Sequence, residues 1–278
     1  MEEISNKEYR QREGLSSSDL KKLMKSPAHY KYYKEHPEDC DTEALLFGRF
    51  YHKFILENDT WEEEFAVAPY CDRRTKSGKE TWEQFCKDNE GKDIVTQQDY
   101  DKVVAMRKAF METPYAPLLI KGEHEKSFFW NDEMTGLPLK IRPDSYGKIK
   151  EQYICCDLKT AVCAETDKFM RDSLRLGYDC QAYLYKMGLE QHYGKDFKFI
   201  FIVQEKVEPY VCNILEADEY FIASGKELTE TLLDQYIECS KTGNWYGYVK
   251  NKEINSLGVP SWLAQSLSLE ESEGGDFE

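Results

Sequence analysis

Two aspartates and a lysine near the middle of the chain are spaced so that they could act together on a phosphate ester. Asp144 follows a proline in the run KIRPDSYG, and Asp157 and Lys159 lie two residues apart in YICCDLKT. Side chains alternate along a strand, so Asp157 and Lys159 face the same side, and Asp144 on a preceding strand can lie opposite them. Two carboxylates can hold a hard divalent cation, with the lysine beside the attacked phosphate. The pattern PD…D-x-K therefore predicts a metal-dependent site.

Three further residues could support such a site, although each also has an ordinary structural interpretation. His52 ends a G-x-x-x-H pattern that begins at Gly48 in a predicted helix, where a lone histidine is usually a surface or core residue. Gln181 and Tyr185 lie four apart and share one helical face, which an amphipathic helix with core tyrosines would also explain. Their order along the chain, combined with PD…D-x-K, favours a functional interpretation.

A basic cluster lies in residues 70–93, which are polar and interrupted by glycine. The pattern predicts a loop with one helical turn around Trp82. Its cations could meet a nucleic-acid backbone without reading bases, giving salt-dependent binding, although a solvated charged loop also explains them. The candidate DNA-binding residues are Arg73, Arg74, Lys76 and Lys79.

The hydrophobic pattern predicts a mixed sheet flanked by helices, with a helical region at the N-terminus, in the α/β class. Residues 124–160 alternate and predict three antiparallel strands, and residues 196–216 predict a hairpin that turns near Glu208-Pro209. Helices are predicted from the Ser16 cap to Met24, from Pro27, and over 42–57, 97–112, 164–175, 178–192 and 217–241.

Length and composition favour one large globular domain. The chain has 278 residues, of which 41% are hydrophobic and 32% charged. We expect a single domain over 1–265, with a helical part over about 14–112 and a catalytic core over about 123–245. The nine cysteines include no C-x-x-C pair, so we expect reduced thiols and neither zinc nor an iron–sulfur cluster. A polar N-terminus and the lack of a long apolar run predict a cytoplasmic protein with no membrane partner.

The net charge of -15 at first disfavours a nucleic-acid partner. Much of the acid, however, lies in Glu62-Glu63-Glu64 and in residues 266–278, an acidic tail that we expect to be disordered. Basic residues cluster elsewhere, in the cations of residues 70–93 and in Lys21, Lys22 and Lys25. A mostly acidic exterior with a basic channel is compatible with this distribution.

The succession G-x-x-x-H, PD, D-x-K and Q-x-x-x-Y resembles the RecB-type branch of the PD-(D/E)xK nuclease superfamily. Within that branch the chain looks most like the RecE-like exonucleases of phages and prophages, the exodeoxyribonuclease VIII type. The opening LSSSDLKKLMKSPAHYKYYKE resembles the helical start of that family, and DRRTKSGKETWEQF resembles its basic loop. The resemblance covers about residues 14–245. It departs from the cluster-bearing relatives, whose cysteine set with C-x-x-C spacing this chain lacks.

The resemblance implies a restriction-endonuclease-like core and a role for each matching residue. Lys159 would be the catalytic lysine, and Gln181 and Tyr185 would brace the site and contact DNA. Mg²⁺, for which Mn²⁺ can substitute, would be held by His52, Asp144, Asp157, the backbone carbonyl of Leu158 and an extra carboxylate, Glu125.

The resemblance also implies a function: processive 5′→3′ degradation of linear double-stranded DNA from its ends, leaving 3′ single strands for recombination by strand annealing. It further implies a ring-shaped homo-oligomer and a RecT-like single-strand annealing protein as partner, in the cytoplasm of a bacterial or phage-infected cell. Four alternatives stay open. They are a single-strand-specific exonuclease of this fold, an endonuclease of defence or restriction, a non-catalytic DNA-binding scaffold, and an unrelated α/β protein in which Asp157 and Lys159 form a surface ion pair.

Overall fold

A mixed sheet of five strands lies at the centre of the molecule, which we describe from a computed structural model. The structure describes residues 2, 4–36, 42–250, 254–261 and 263–265. Cys40 and the expected acidic tail, residues 266–278, lie outside the described residues, and the other eight cysteines are free. Within the described part, no helix has both the length and the apolar character needed to cross a membrane.

The strands of the described residues are β1 (Phe65–Val67), β2 (Asp93–Val95), β3 (Glu123–His124), β4 (Phe128–Asn131), β5 (Pro138–Ile141), β6 (Ser145–Ile149), β7 (Gln152–Ala161), β8 (Phe197–Glu205) and β9 (Cys212–Glu216). The helices are α1 (Asn6–Gln11), α2 (Ser17–Lys25), α3 (Pro27–Glu35), α4 (Glu43–Leu56), α5 (Trp61–Glu64), α6 (Lys76–Asp88), α7 (Gln97–Glu112), α8 (Ala116–Leu119), α9 (Thr166–Arg175), α10 (Tyr178–Tyr193) and α11 (Glu219–Thr242).

The five strands follow the order β3-β6-β7-β8-β9. Strands β7 and β8 are parallel, with Asp157 opposite Phe201, and the other neighbouring pairs are antiparallel. The parallel pair is connected through α9 and α10, as a parallel connection requires a crossover. This arrangement confirms the predicted mixed sheet with flanking helices, and the β8–β9 hairpin is confirmed as well.

Apolar side chains cover both faces of the sheet and form two separate cores. Phe199 and Phe201 of β8 face one core together with Leu184 of α10. Their neighbours in sequence, such as Ile200, face the other core together with Phe50 of α4. Strand alternation therefore divides the helices into two layers, with α10 on one side of the sheet and α4 on the other.

Helix α2 begins where the sequence predicts. Ser16 accepts a hydrogen bond from the Asp19 amide at 3.3 Å, and the Asp19 carboxylate accepts one from the Ser16 amide at 3.0 Å. Lys34 of α3 forms an ion pair with the same carboxylate at 2.9 Å. A capping box of this kind is worth about 1 kcal/mol, and here it also fixes the start of the helix that carries Lys21.

The N-terminal segment is fastened to the β4–β5 hairpin. Leu15 pairs with Leu139 in an isolated bridge, and the buried Lys140 donates to the backbone carbonyl of Tyr9 at 2.9 Å. Because that carbonyl lies in the last turns of α1, the ammonium group also complements the negative end of the helix dipole. Helix α1 is thereby held beside the β4–β5 hairpin.

Two helix glycines differ in how closely other atoms approach them. A Cβ built at Gly225 of α11 would lie 2.0 Å from the carbonyl oxygen of Asp179, so α10 and α11 approach closely at this point. A Cβ built at Gly48 of α4, one turn before His52, would meet no atom within 4 Å. Packing within the described chain thus requires the first glycine and does not require the second.

Several parts of the predicted secondary structure are wrong. The first of the three antiparallel strands expected over residues 124–160 is divided into β3 and β4, and β4 pairs with β5 in a separate two-stranded sheet. Residues 70–93 contain the long helix α6 instead of a loop with one turn, because Thr75 caps it and the polar run that follows tolerates a solvent-exposed helix. The run KIRPDSYG does not form one strand, since it breaks between β5 and β6. Asp144 therefore lies in this break, immediately before β6, and not on a strand as expected.

Candidate active site

Polar side chains from both helical layers meet beside the sheet, at the start of β6 and the middle of β7. Asp157 and Lys159 point from β7 toward the α10 layer, and His52 reaches the same region from α4 on the other side. Asp144 lies between them. The backbone amide of Leu158 donates to its Oδ2 at 2.6 Å, and Nδ1 of His52 lies 3.4 Å from that oxygen.

Three of these side chains form a cluster that could hold a metal ion. One ligand atom each from His52, Glu125 and Asp144 lies within 4.8 Å of the others. Glu125 follows the short strand β3 with a left-handed φ of 52°, and its amide donates to the carbonyl of Pro143 at 3.1 Å. This unusual backbone conformation at a non-glycine residue brings the carboxylate next to Asp144.

The pKa values of the two carboxyl groups of the cluster are shifted in opposite directions. Burial and the nearby charge of Asp144 raise the pKa of Glu125 to about 7, although Arg142 lies 2.7 Å from it and opposes the shift. Burial also disfavours ionisation of Asp144, but His52 and the Leu158 amide outweigh it and lower its pKa. The pKa of His52 is raised, because the attraction of Asp144 exceeds the effect of burial.

Asp157 is engaged by two other side chains. One oxygen accepts from the amide nitrogen of Gln181, and the other forms an ion pair with Lys159. Burial raises the pKa of Asp157 despite that ion pair, whereas Asp157 raises the pKa of Lys159 despite burial. The lysine is therefore an ammonium group, and it lies against the ring of Tyr178 at 4.8 Å from the ring centroid.

Lys21 of α2 also reaches this region. Its Nζ donates to the side-chain oxygen of Gln181 at 2.6 Å and lies 4.5 Å from the centroid of the Tyr178 ring. Burial, reinforced by the charge of Lys159, lowers the pKa of Lys21 to about 7. A second lysine thus lies beside the D-x-K motif, contributed by the N-terminal helical region.

A cleft of about 590 Å³ opens next to the cluster. Its walls come from α1, α4, α5, β1 and β2 and from the side chains of Glu125 and Arg142, and they mix both signs of charge. Among the lining residues are Arg10, Arg49, His52, Lys53, Glu125 and Arg142. A charged, open cleft of this kind is suited to a polar, extended ligand rather than to a small apolar one.

The chain matches the profile of a family described as a PDDEXK-like domain of unknown function (DUF3799), over residues 16–255. It belongs to this PDDEXK-like family. The crystal structure of a "Putative exonuclease" from Eubacterium rectale is similar over 99% of this chain and 100% of that chain, at 15% identity and a TM-score of 0.60. At this identity the likeness concerns the fold.

Two further comparisons add nothing to this assignment. The crystal structure of a protein called SSO0001 covers 67% of this chain and 86% of its own at 16% identity, but its TM-score of 0.30 is too low to indicate a shared fold. Curated proteins include no significant match.

The donor set of the PDDEXK-like chain fits a divalent cation. An imidazole nitrogen and two carboxylates converge in the cluster, and burial together with the charge of Asp144 raises the pKa of Glu125. Carboxylate oxygens suit Mg²⁺ and Mn²⁺, and the imidazole nitrogen is accepted more readily by Mn²⁺ than by Mg²⁺. Asp157 is not one of these three residues, and Gln181 and Lys159 engage its two oxygens.

The predicted site residues fall into two groups. The structure brings together most of them, namely His52, Glu125, Asp144, Asp157, Lys159 and Gln181. The backbone amide of Leu158 donates to Asp144. Tyr185 is buried one turn after Gln181 and packs against Phe199 with ring centroids 6.1 Å apart. The cations of residues 70–93 lie elsewhere, exposed at the start of α6, and they are not among the described residues that line the cleft.

Sequence reasoning missed three residues of the site. Lys21 was noted only as part of a basic cluster, and nothing in the local sequence indicates its contact with a residue 160 positions away. Arg142 directly precedes the PD motif, and that proximity could have marked it. Tyr178 lies three residues before Gln181, so helical periodicity could have placed both on one face.

Proposed function

We propose that the chain is a metal-dependent deoxyribonuclease. The observation that carries this proposal is the convergence of His52, Glu125 and Asp144 next to the ion-paired Asp157 and Lys159. A bound divalent cation supplies Lewis acidity and lowers the pKa of a coordinated water. The family and the fold support the same class of reaction.

Each protein group has a task in such a hydrolysis. Water attacks phosphorus, the P–O bond to the leaving oxygen breaks, and that oxygen takes up a proton. His52, Glu125 and Asp144 would hold Mg²⁺ or Mn²⁺. Each Asp157 oxygen has a lone pair beyond its contact with Gln181 or Lys159, so Asp157 and the Leu158 carbonyl would be further ligands from β7. The ammonium group of Lys159 would offset negative charge that develops on the phosphate.

We further propose that the substrate is linear double-stranded DNA, degraded from its ends in the 5′→3′ direction. The support is the resemblance to RecE-like exonucleases and the structural likeness to a protein named as an exonuclease. A ring-shaped homo-oligomer and a RecT-like annealing partner belong to the same proposal. A ring would separate an acidic exterior from a channel that meets the phosphates.

The test uses linear duplex DNA labelled at either the 5′ or the 3′ end, with a closed circle as control. We expect Mg²⁺-dependent release of the 5′ label from linear DNA alone, with no reaction in EDTA. Lys159→Met should lower kcat by roughly 10²- to 10³-fold, as for the loss of one charge-stabilising group. Lys168→Met, at an exposed position of α9, is the matched control and should retain full activity.

Other outcomes would redirect the proposal. Cleavage of the closed circle would identify an endonuclease, and attack on single strands alone would identify a single-strand-specific exonuclease. Folded protein that binds DNA and cleaves none of these substrates would be a non-catalytic scaffold.

A further inference from the structure

Lys21 makes a contact that orients a side chain of the site. Its ammonium or amine group donates to the side-chain oxygen of Gln181 at 2.6 Å. The amide nitrogen of Gln181 donates in turn to the carboxylate of Asp157, whose other oxygen pairs with Lys159. These four side chains form one continuous chain of hydrogen bonds that begins in α2 and ends on β7.

The contact matters because a glutamine amide has two different ends. One end is a carbonyl oxygen that only accepts, and the other is an NH₂ group that donates. Lys21 donates its hydrogen bond to Gln181, and only the oxygen end of the amide can accept it. The NH₂ end of the amide therefore faces Asp157. Without Lys21, the oxygen end of the amide loses its donor, and Gln181 is held through its NH₂ end alone, so the side chain can turn about its torsions and hold Asp157 less firmly.

The position of Lys21 is costly in free energy, and the hydrogen bond to Gln181 helps to offset this cost. The lysine is half-buried, and it shares the ring of Tyr178 with a second ammonium group, Lys159. Burial, reinforced by the charge of Lys159, lowers the pKa of Lys21 to about 7. The ammonium form of Lys21 has donors and no acceptor, so it pairs with the oxygen of Gln181 and not with the NH₂ group.

We propose that Lys21 is a positioning residue of the nuclease site, which directs the NH₂ group of Gln181 toward Asp157 and so holds the carboxylate next to Lys159. The inference rests on the proposed nuclease function. It makes helix α2 part of the active site, although that helix lies far from the D-x-K motif in sequence.

Three variants separate positioning from a general effect on the fold. Lys21→Met removes the donor but keeps an unbranched apolar stem, and Lys21→Arg keeps a donor. Lys25→Met changes an exposed lysine at the end of the same helix and is the matched control. We expect Lys21→Met to lower kcat roughly 10- to 100-fold, with KM for linear duplex DNA within about twofold of wild type. Lys21→Arg should recover part of kcat, and Lys25→Met should change neither constant.

A second measurement does not need activity. In protein labelled with ¹⁵N-glutamine, the side-chain NH₂ signals of Gln181 can be assigned by their loss in Gln181→Met. An NH₂ proton that is hydrogen-bonded to a carboxylate resonates downfield. We therefore expect Lys21→Met to shift the Gln181 NH₂ signal toward the chemical shift of a solvent-exposed glutamine. The signal should be unchanged in Lys25→Met.

The two measurements distinguish failure of this inference from failure of the proposed function. If wild type cleaves DNA and Lys21→Met has an unaltered Gln181 signal and unaltered kcat, the positioning role is overturned while the nuclease stands. If wild type cleaves nothing and the signal still depends on Lys21, the contact is supported and the nuclease function is overturned.

Discussion

Each of the three central carboxylates has different partners, and this difference sets its chemistry. Glu125 faces Arg142, Asp144 faces His52 and the Leu158 amide, and Asp157 faces Lys159 and Gln181. Glu125 is the one with a pKa of about 7. Its ionisation should therefore be coupled to metal binding near neutral pH.

We expect Glu125→Gln to weaken Mn²⁺ binding by at least roughly tenfold and to flatten its dependence on pH. The metal binds the ionised carboxyl group, so in wild type a proton must leave Glu125 below its pKa, and affinity falls as the pH decreases through 7. Titration calorimetry with Mn²⁺ at about pH 6 and about pH 8 measures both effects.

Glu123→Gln provides the control for this prediction, because Glu123 lies on the adjacent strand but outside the cluster. It should bind Mn²⁺ like wild type at both pH values. Equal affinity of Glu125→Gln and wild type would remove Glu125 from the metal site.

The sequence predicted those site residues that belong to short motifs. Asp157 and Lys159 share a strand, and strand alternation alone places them on one side. Lys21 and Arg142 could not be predicted in this way, since their partners become neighbours only when distant segments pack. Contacts of that kind depend on tertiary structure, which a single sequence does not display.

At the scale of elements, the site depends on helices from opposite sides of the sheet. Helix α4 contributes His52, and α10 contributes Gln181. Most helices were predicted within a few residues, because their apolar positions recur at helical spacing. Helix α6 was predicted as a single turn around Trp82, because its apolar residues Trp82, Phe85 and Cys86 span little more than one turn of an otherwise polar sequence.

The exposed start of α6 should bind the phosphate backbone. Arg73 lies 4.5 Å from the ring of Trp82, while Arg74 and Lys76 have acidic neighbours. We expect replacement of all four cations by glutamine to reduce the slope of log K against log salt by about 2–4, since each phosphate contact contributes about 0.9. Fluorescence anisotropy with duplex DNA, in Ca²⁺ to prevent cleavage, measures this slope. The residues replaced are Arg73, Arg74, Lys76 and Lys79.

A matched control comes from exposed lysines of α11. Lys226→Gln with Lys241→Gln also removes positive charge, but from another surface. If both sets of variants lower the slope equally per charge removed, the effect is general electrostatics and α6 is not a binding element.

At the scale of the whole molecule, the N-terminal helical region and the catalytic core depend on each other. The former contributes His52 and Lys21, and the latter contributes the D-x-K strand. The single domain over 1–265 stays a prediction, which this division of the site supports. A fragment limited to residues 123–245 would lack His52, one of the three residues that we propose hold the metal ion.

We expect truncation after Gln265 to leave nuclease activity within about twofold of wild type, because the removed segment contains none of the proposed site residues. Digestion of end-labelled duplex DNA by the two proteins, at equal concentration, checks this. Light scattering on the same samples compares their oligomeric states. Loss of both activity and assembly on truncation would show that the tail belongs to the working oligomer.

Gly48 of α4 affects both the stability of the helix and the surface beside His52. Gly48 costs the helix about 1 kcal/mol relative to alanine, and no contact in the described chain requires it. Gly48 lies on the same face of α4 as His52, one turn earlier. Because it has no side chain, the helix backbone is uncovered beside the cluster of His52, Glu125 and Asp144. The chain thus forgoes folding stability at this position, and the space that a Cβ would occupy stays open, with no atom within 4 Å of it in the described chain.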